Sequence, residues 1–178
     1  LLGAVVVVNN EILGGNREDT AGPLAAELLR SHRVHVSGQR EVSGQRDAVP
    51  KGSWDRLHHC AESLDAISSA LDAAIAAGSR VIVTVGGTGI SAGDVTPEAT
   101  APFLEVRMDG IAHQVREHGL SVTPLASLSR GLVGITHRGP GGVLIVNAPG
   151  SRGGVKDSLS VVCPLLPHIF EQLDDQMD

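Results

Sequence analysis

An α/β fold with a mostly parallel central sheet is what this sequence predicts. Short β-branched runs alternate with stretches of helical periodicity, so successive strands need crossover connections that lay helices against the sheet. The core has to be aliphatic, because 42% of residues are apolar and only 2% are aromatic; that composition suits strands buried on both faces. Glycine, at 22 residues, is gathered at Gly86-Gly87-Thr88-Gly89, Gly139-Pro140-Gly141-Gly142 and Gly150-Ser151-Arg152-Gly153-Gly154. Clusters of this kind imply tight turns where backbone comes close to something. At 178 residues the chain is expected to form one domain, 1–178, with a single core of ordinary size.

Taken in order, Gly3 to Val8 reads as a buried strand ended by Asn9-Asn10. A helix follows: Asp19 or Thr20 caps it, Pro23 lies in its first turn, and Leu24, Leu28 and Leu29 form its apolar stripe. The pattern then decays, and residues 34–62 read as a loop insertion that carries the near-duplicate Ser37-Gly38-Gln39-Arg40 and Ser43-Gly44-Gln45-Arg46. Helical spacing resumes with Ser63 as N-cap and Leu64, Ile67, Leu71 and Ile75 on one side, stopped by Gly78. Val81 to Val85 is the clearest strand and runs into the Gly86 cluster. Thr96-Pro97-Glu98 starts another helix, Ile111 to His118 forms the next, Val143 to Asn147 is a strand, and Lys156 to Leu173 is a last helix.

The formal net charge of −6 argues against a general nucleic-acid or anionic-membrane binder, which needs a basic surface. Cys60 and Cys163 are too few and too far apart for a disulfide framework or a thiolate zinc site, so a reducing, cytoplasmic setting is the expectation. The apolar start lacks a basic region and falls well short of the roughly 20 residues of a spanning helix. The chain opens without Met, so further residues are expected ahead of Leu1.

Chemistry concentrates after the strands. In Gly86-Gly87-Thr88-Gly89-Ile90-Ser91-Ala92-Gly93-Asp94, three glycines let several N–H groups point into one concavity beside a helix start, an arrangement that favours an anion. Asp94 suits Mg²⁺ held between a carboxylate and phosphate oxygens; equally, it only caps the next helix and the glycines only turn the chain. No Gly-Lys-Ser/Thr follows and the G-x-G-x-x-G spacing is absent, so neither common nucleotide loop is present. A second turn, Asn147 to Val155, repeats the logic with Arg152 and Lys156 nearby, and in open parallel sheets both turns should face one crevice. Ser129-Arg130 offers a hydroxyl and a guanidinium suited to phosphate, and Asp19 an acid for the same rim, although surface decoration and capping explain these as well. His58-His59-Cys60 lacks the spacing to close a metal site.

The run Gly86-Gly87-Thr88-Gly89 through Asp94-Val95-Thr96-Pro97-Glu98-Ala99-Thr100, with Leu128-Ser129-Arg130 and Pro149-Gly150-Ser151, resembles the MogA/MoaB family of molybdenum-cofactor biosynthesis proteins. The similarity runs from about Gly3 to Leu29 and from Leu64 to Leu173. It implies a three-layer α/β/α sandwich, commonly a homotrimer, that binds molybdopterin and, in the adenylyltransferase members, transfers AMP from Mg-ATP to its terminal phosphate. By motif, Asp94 would be the magnesium-associated carboxylate and Thr88 with Gly86, Gly87 and Gly89 would line the phosphate site. Ser129 and Arg130 would contact substrate, Pro149, Gly150 and Ser151 would help hold the nucleotide, and Asp19 falls where the family keeps an acid in its first loop. Where the family's enzymes carry a second aspartate, usually after a proline, this chain has Ala61-Glu62-Ser63: either Glu62 substitutes as a slightly longer magnesium ligand, or Ser63 occupies that place and the site has lost a carboxylate. The alternatives are a non-catalytic molybdopterin-binding or partner-binding protein of the same fold, and a relative of the competence-damage-protein domain, whose first loop resembles Asn10 to Gly15 but which usually differs at Thr88.

Overall fold

The computed structural model describes residues 1–36 and 57–175. Its strands are β1 (Gly3–Val8), β2 (Leu57–Cys60), β3 (Val81–Val85), β4 (Val106–Arg107), β5 (Val133–Ile135) and β6 (Leu144–Ala148). They form one sheet in the order β2-β1-β3-β6-β5-β4. The pairs β2–β1, β1–β3 and β3–β6 are parallel; β5 runs against both of its neighbours. The helices are α1 (Asn10–Leu13), α2 (Ala21–Ser31), α3 (Leu64–Ala76), α4 (Thr96–Thr100), α5 (Asp109–Leu120), α6 (Arg152–Val162) and α7 (Leu166–Asp174), with 3₁₀ turns at Ala101–Phe103, Pro124–Leu128 and Cys163–Leu165.

Side-chain alternation along the strands divides the core into two layers. Val5 and Val7 of β1, with Val81 and Val83 of β3, pack against α2, α5, α6 and α7, whereas Ala4, Val6, Val8 and Ile82 pack against α3 and Ala99 of α4. β1, β3 and β6 are buried at every residue, as strands covered on both faces must be. The architecture is the three-layer α/β/α sandwich with a mostly parallel sheet that the family resemblance implies.

Local sequence accounts for most element ends. The Ser63 hydroxyl accepts the Ala66 N–H at 3.2 Å and caps α3, whose Ile67, Ala70, Leu71 and Ala74 face the sheet. Asp19 Oδ1 accepts the Gly22 N–H at 2.8 Å at the start of α2, while Thr20 makes no side-chain cap bond. The single helix expected over Lys156 to Leu173 is two, α6 and α7, because Pro164 and Pro167 lack the N–H groups a continuous helix needs.

The insertion expected over 34–62 is wrong at both ends. Val34 and Val36 are buried, His35 bridges Leu2, and Leu57–Cys60 is the edge strand β2, in parallel register with Val5 to Val8. The duplicated Ser-Gly-Gln-Arg segments lie outside the described residues. Among the described residues no helix is long and apolar enough to cross a membrane.

Candidate functional site

Because β3 and β6 are parallel neighbours, with Val85 opposite Ala148, the turns after them leave the sheet at the same end. The Gly86 N–H donates to Ala148 O at 3.0 Å, and a Cβ on Gly150 would stand 3.4 Å from Gly86 Cα. Gly86 adopts φ +103° and Gly87 φ +68°, and a side chain on Gly86 would meet Val8 O at 2.6 Å. Only glycine fits this turn. The N–H groups of Gly87, Thr88 and Gly89 donate to no described residue, leaving three backbone donors at the mouth of the turn.

The helix expected to add its positive end here contributes little: α4 has five residues. Thr96 works instead as a tether. Its hydroxyl donates to Gly86 O at 2.9 Å and its N–H to Gly87 O at 3.0 Å, which fixes the glycine backbone from behind.

A cleft of about 340 Å³ opens over this turn, lined by Gly86 to Gly89, Gly150 and Ser151 and by a wall of acids, Glu18, Asp19, Glu62 and Asp94, facing Arg17. Asp94 is not folded against its helix: Oδ2 accepts the Ser91 N–H at 2.9 Å, and the carboxylate lies over Gly89. Glu62 Oε1 accepts the Asn10 N–H at 3.3 Å while the Glu62 N–H donates to Asn10 Oδ1 at 2.9 Å. Glu62 Oε2 lies over Gly93, so this acid reaches the loop that ends in Asp94. Asp19 is engaged twice, by the Gly22 N–H and by His59 Nε2 at 2.8 Å. Four carboxylates facing one guanidinium repel a bare polyphosphate, and among the described residues no three His, Cys, Asp or Glu side chains cluster to hold a metal by themselves. Asp94 and Glu62 are the acids that could hold Mg²⁺, the rest of whose ligands would be water and phosphate oxygens.

A second cavity of about 340 Å³ lies against the other side of the turn and shares Thr88, Gly89 and Ser151 with the first. Its walls are chiefly apolar, from Val115, Val122, Leu125, Ala126 and Leu128, with Ser129 and Pro149 also on the lining.

Arg130 is placed differently from the phosphate contact its sequence position suggests. The guanidinium donates to Gly89 O at 2.8 Å, to Asp94 O at 2.7 Å and to both oxygens of Glu98, so most of its donors are engaged inside the protein. The hydrogen bond from Arg130 holds the Glu98 carboxyl below its usual range. Arg130 is thus a clamp on the ends of the glycine loop.

Asn147 is legible in the sequence only as a strand residue. Its Nδ2 donates to Thr84 Oγ1 and Thr100 Oγ1, both at 3.0 Å, and its Oδ1 accepts the Leu132 N–H at 3.1 Å, tying β6 to β3, α4 and the Ser129 loop. Glu18, Arg17 and His59 also reach the site; an acid pair ahead of a helix is the one sequence signal for Glu18. Burial pushes the Cys60 and Cys163 thiols up to about 11.

The fold and the two cavities define a class, the three-layer α/β domains whose candidate ligand site is assembled at the carboxyl ends of parallel strands. A family model described as a probable molybdopterin binding domain matches residues 4–168. Gephyrin from Dictyostelium discoideum is 42% identical over 164 residues, covering 92% of this chain and 21% of that protein. A molybdopterin adenylyltransferase from Helicobacter pylori is 35% identical over 91 residues, 51% of this chain and 49% of that one. The crystal structure of a molybdopterin biosynthesis protein from Mycobacterium abscessus superposes with TM-score 0.80 at 36% identity, covering 97% of this chain and 95% of the other. The chain belongs to the MogA/MoaB family of molybdenum-cofactor biosynthesis proteins. It spans less than half the length of the first curated relatives it matches.

Proposed function

We propose that this domain is a molybdopterin adenylyltransferase, transferring AMP from Mg-ATP to the terminal phosphate of molybdopterin. The observation that carries the reading is that an acid-walled cleft and an apolar cavity meet at Thr88, Gly89 and Ser151. A nucleotide triphosphate with its magnesium suits the first and a planar pterin the second. Their phosphates would then come together at the N–H groups of Gly87 to Gly89.

In the reaction an oxygen of the molybdopterin phosphate bonds to the α-phosphorus of ATP, the bond between that phosphorus and the α,β-bridging oxygen breaks, and pyrophosphate leaves with the electron pair. Both partners are anions, so positioning and charge neutralisation supply most of the acceleration. Asp94 and Glu62 would hold magnesium, which supplies positive charge to the phosphates when bound. The backbone donors of Gly87, Thr88 and Gly89 stabilise charge on the transferred group. Ser129 and Pro149 lie on the pterin side, Gly150 and Ser151 border the nucleotide, and Asp19, held by Gly22 and His59, completes the acidic wall. Arg130 acts through the loop it clamps.

One observation favours the non-catalytic reading: Glu62, where the family's enzymes carry aspartate, shares its carboxylate with the Asn10 N–H. Pyrophosphate release from ATP in the presence of molybdopterin and Mg²⁺ separates the two. Release that Asp94→Asn lowers on the order of 10²-fold supports the enzyme, whereas molybdopterin binding without release retires it.

A further inference from the structure

The apolar cavity contains one acid whose chemistry the fold does not use. Asp157, on α6, is the sole carboxylate among the described residues on that cavity's lining. Its side chain is only 19% exposed, and its single polar partner among the described residues is His118 Nε2, 3.5 Å from Oδ1. That is an ion contact too long for a good hydrogen bond. A carboxylate this sheltered ordinarily accepts several hydrogen bonds. The space beside it is kept open by backbone: a methyl on Gly119 would sit 3.5 Å from Asp157 Oδ2 and 2.8 Å from Ala126 Cβ, and Gly153 and Gly154 border the same cavity. Arg116, the one guanidinium among the described residues on this lining, is turned to Gly131 O at 3.4 Å and does not pair with Asp157.

An apolar slot with a nearly unpartnered carboxylate on its wall fits a flat heterocycle that presents two parallel N–H donors along one edge, as a bidentate partner for a carboxylate does. Of the ligands the proposed function brings here, one has such an edge. The 2-amino-4-oxopyrimidine side of a pterin carries N3–H and the exocyclic amino group next to each other, and a guanine base shares that edge. We infer that Asp157 is the specificity-determining residue of the apolar cavity, accepting both hydrogen bonds of the pterin's 2-amino-4-oxopyrimidine edge while Val115, Val122 and Leu125 cover the ring faces. This inference rests on the reading of the cavity as the pterin site.

The test uses the full chain and the intrinsic fluorescence of free pterin. Lumazine, which carries a carbonyl where pterin carries the 2-amino group, is the matched probe. Wild-type protein should bind pterin about tenfold or more tightly than lumazine, because a site built for a donor leaves its carboxylate facing an acceptor when the donor is absent. Asp157→Asn keeps the shape but offers one acceptor and one donor, so the preference should fall to within about threefold or invert, with the thermal midpoint unchanged. Equal wild-type binding of the two probes, or an Asp157→Asn protein that keeps the wild-type preference, overturns the assignment even where pyrophosphate release with molybdopterin is normal. If wild-type protein neither binds pterin nor releases pyrophosphate, the underlying reading fails and takes this one with it. Guanosine displacing pterin as well as pterin displaces itself would assign the edge to a purine and overturn the pterin identity.

Discussion

Asn147→Ala removes a polar hub whose worth follows from its bonds. The side chain satisfies Thr84, Thr100 and the Leu132 N–H, and all of these lie in the interior, with Thr84 and Thr100 at 0% exposure and Asn147 at 3%. A buried group that loses its partner costs about 1–3 kcal/mol, and the Leu132 N–H, fixed by the backbone, should carry that cost in full. The Thr84 and Thr100 hydroxyl oxygens each lose one neutral donor, the Asn147 Nδ2 amide, so about 1 kcal/mol each is appropriate, for a total of about 3–5 kcal/mol. For a domain of this size that corresponds to a thermal midpoint lower by roughly 10 °C. Urea unfolding should show the loss as a shifted midpoint with an unchanged slope. The Ser129 loop also loses its tie to β6, so pterin binding should weaken even at temperatures where the variant is folded. A destabilisation under about 1 kcal/mol would refute the reasoning, since it would mean the three partners are satisfied without Asn147.

Gly86→Ala forces a side chain into φ +103° and against Val8 O; the backbone strain alone costs about 1–2 kcal/mol. Nucleotide binding measured by calorimetry should fall with it. Asp94→Asn should lower pyrophosphate release on the order of 10²-fold while molybdopterin binding is kept, a change in turnover rather than in affinity for that substrate. The depressed Glu98 carboxyl contributes stability that is present above the unfolded carboxylate range and is lost as pH falls through its folded value. Glu98→Gln should therefore be modestly less stable than wild type at pH 7, the pair being solvent-screened, and the two should converge in acid denaturation. Cys60 and Cys163, with thiols raised to about 11, should stay unreactive toward a thiol-labelling reagent at pH 7 until the protein is unfolded.

The sequence displays what is local and periodic. The runs Gly3 to Val8 and Val81 to Val85 announce buried strands by composition, Ser63 and Pro23 announce helix starts, and the Gly86 cluster announces a turn that needs positive φ. Tertiary contact hides the rest. Leu57-His58-His59-Cys60 has no strand signature of its own and becomes β2 by pairing with β1, while Val106–Arg107 and Val133–Ile135 are too short to register a period. At the site, Gly86, Gly87, Gly89 and Asp94 line the first cavity and Ser129 lines the second. A guanidinium suits phosphate and carboxylate alike, and only the fold shows that Arg130 pairs with Glu98, 32 residues away. Asp157 and Asn147 sit inside ordinary helix and strand patterns, where nothing in the spacing sets them apart.

A crystal of the protein grown with AMP and Mg²⁺ tests the central claim most directly, that the turns after β3 and β6 form one phosphate site between the two cavities. The account predicts phosphate density within hydrogen-bonding distance of the Gly87, Thr88 and Gly89 N–H groups, with a cation bridging it to Asp94. A nucleotide seated elsewhere on the domain, with those three donors facing only water, would contradict it.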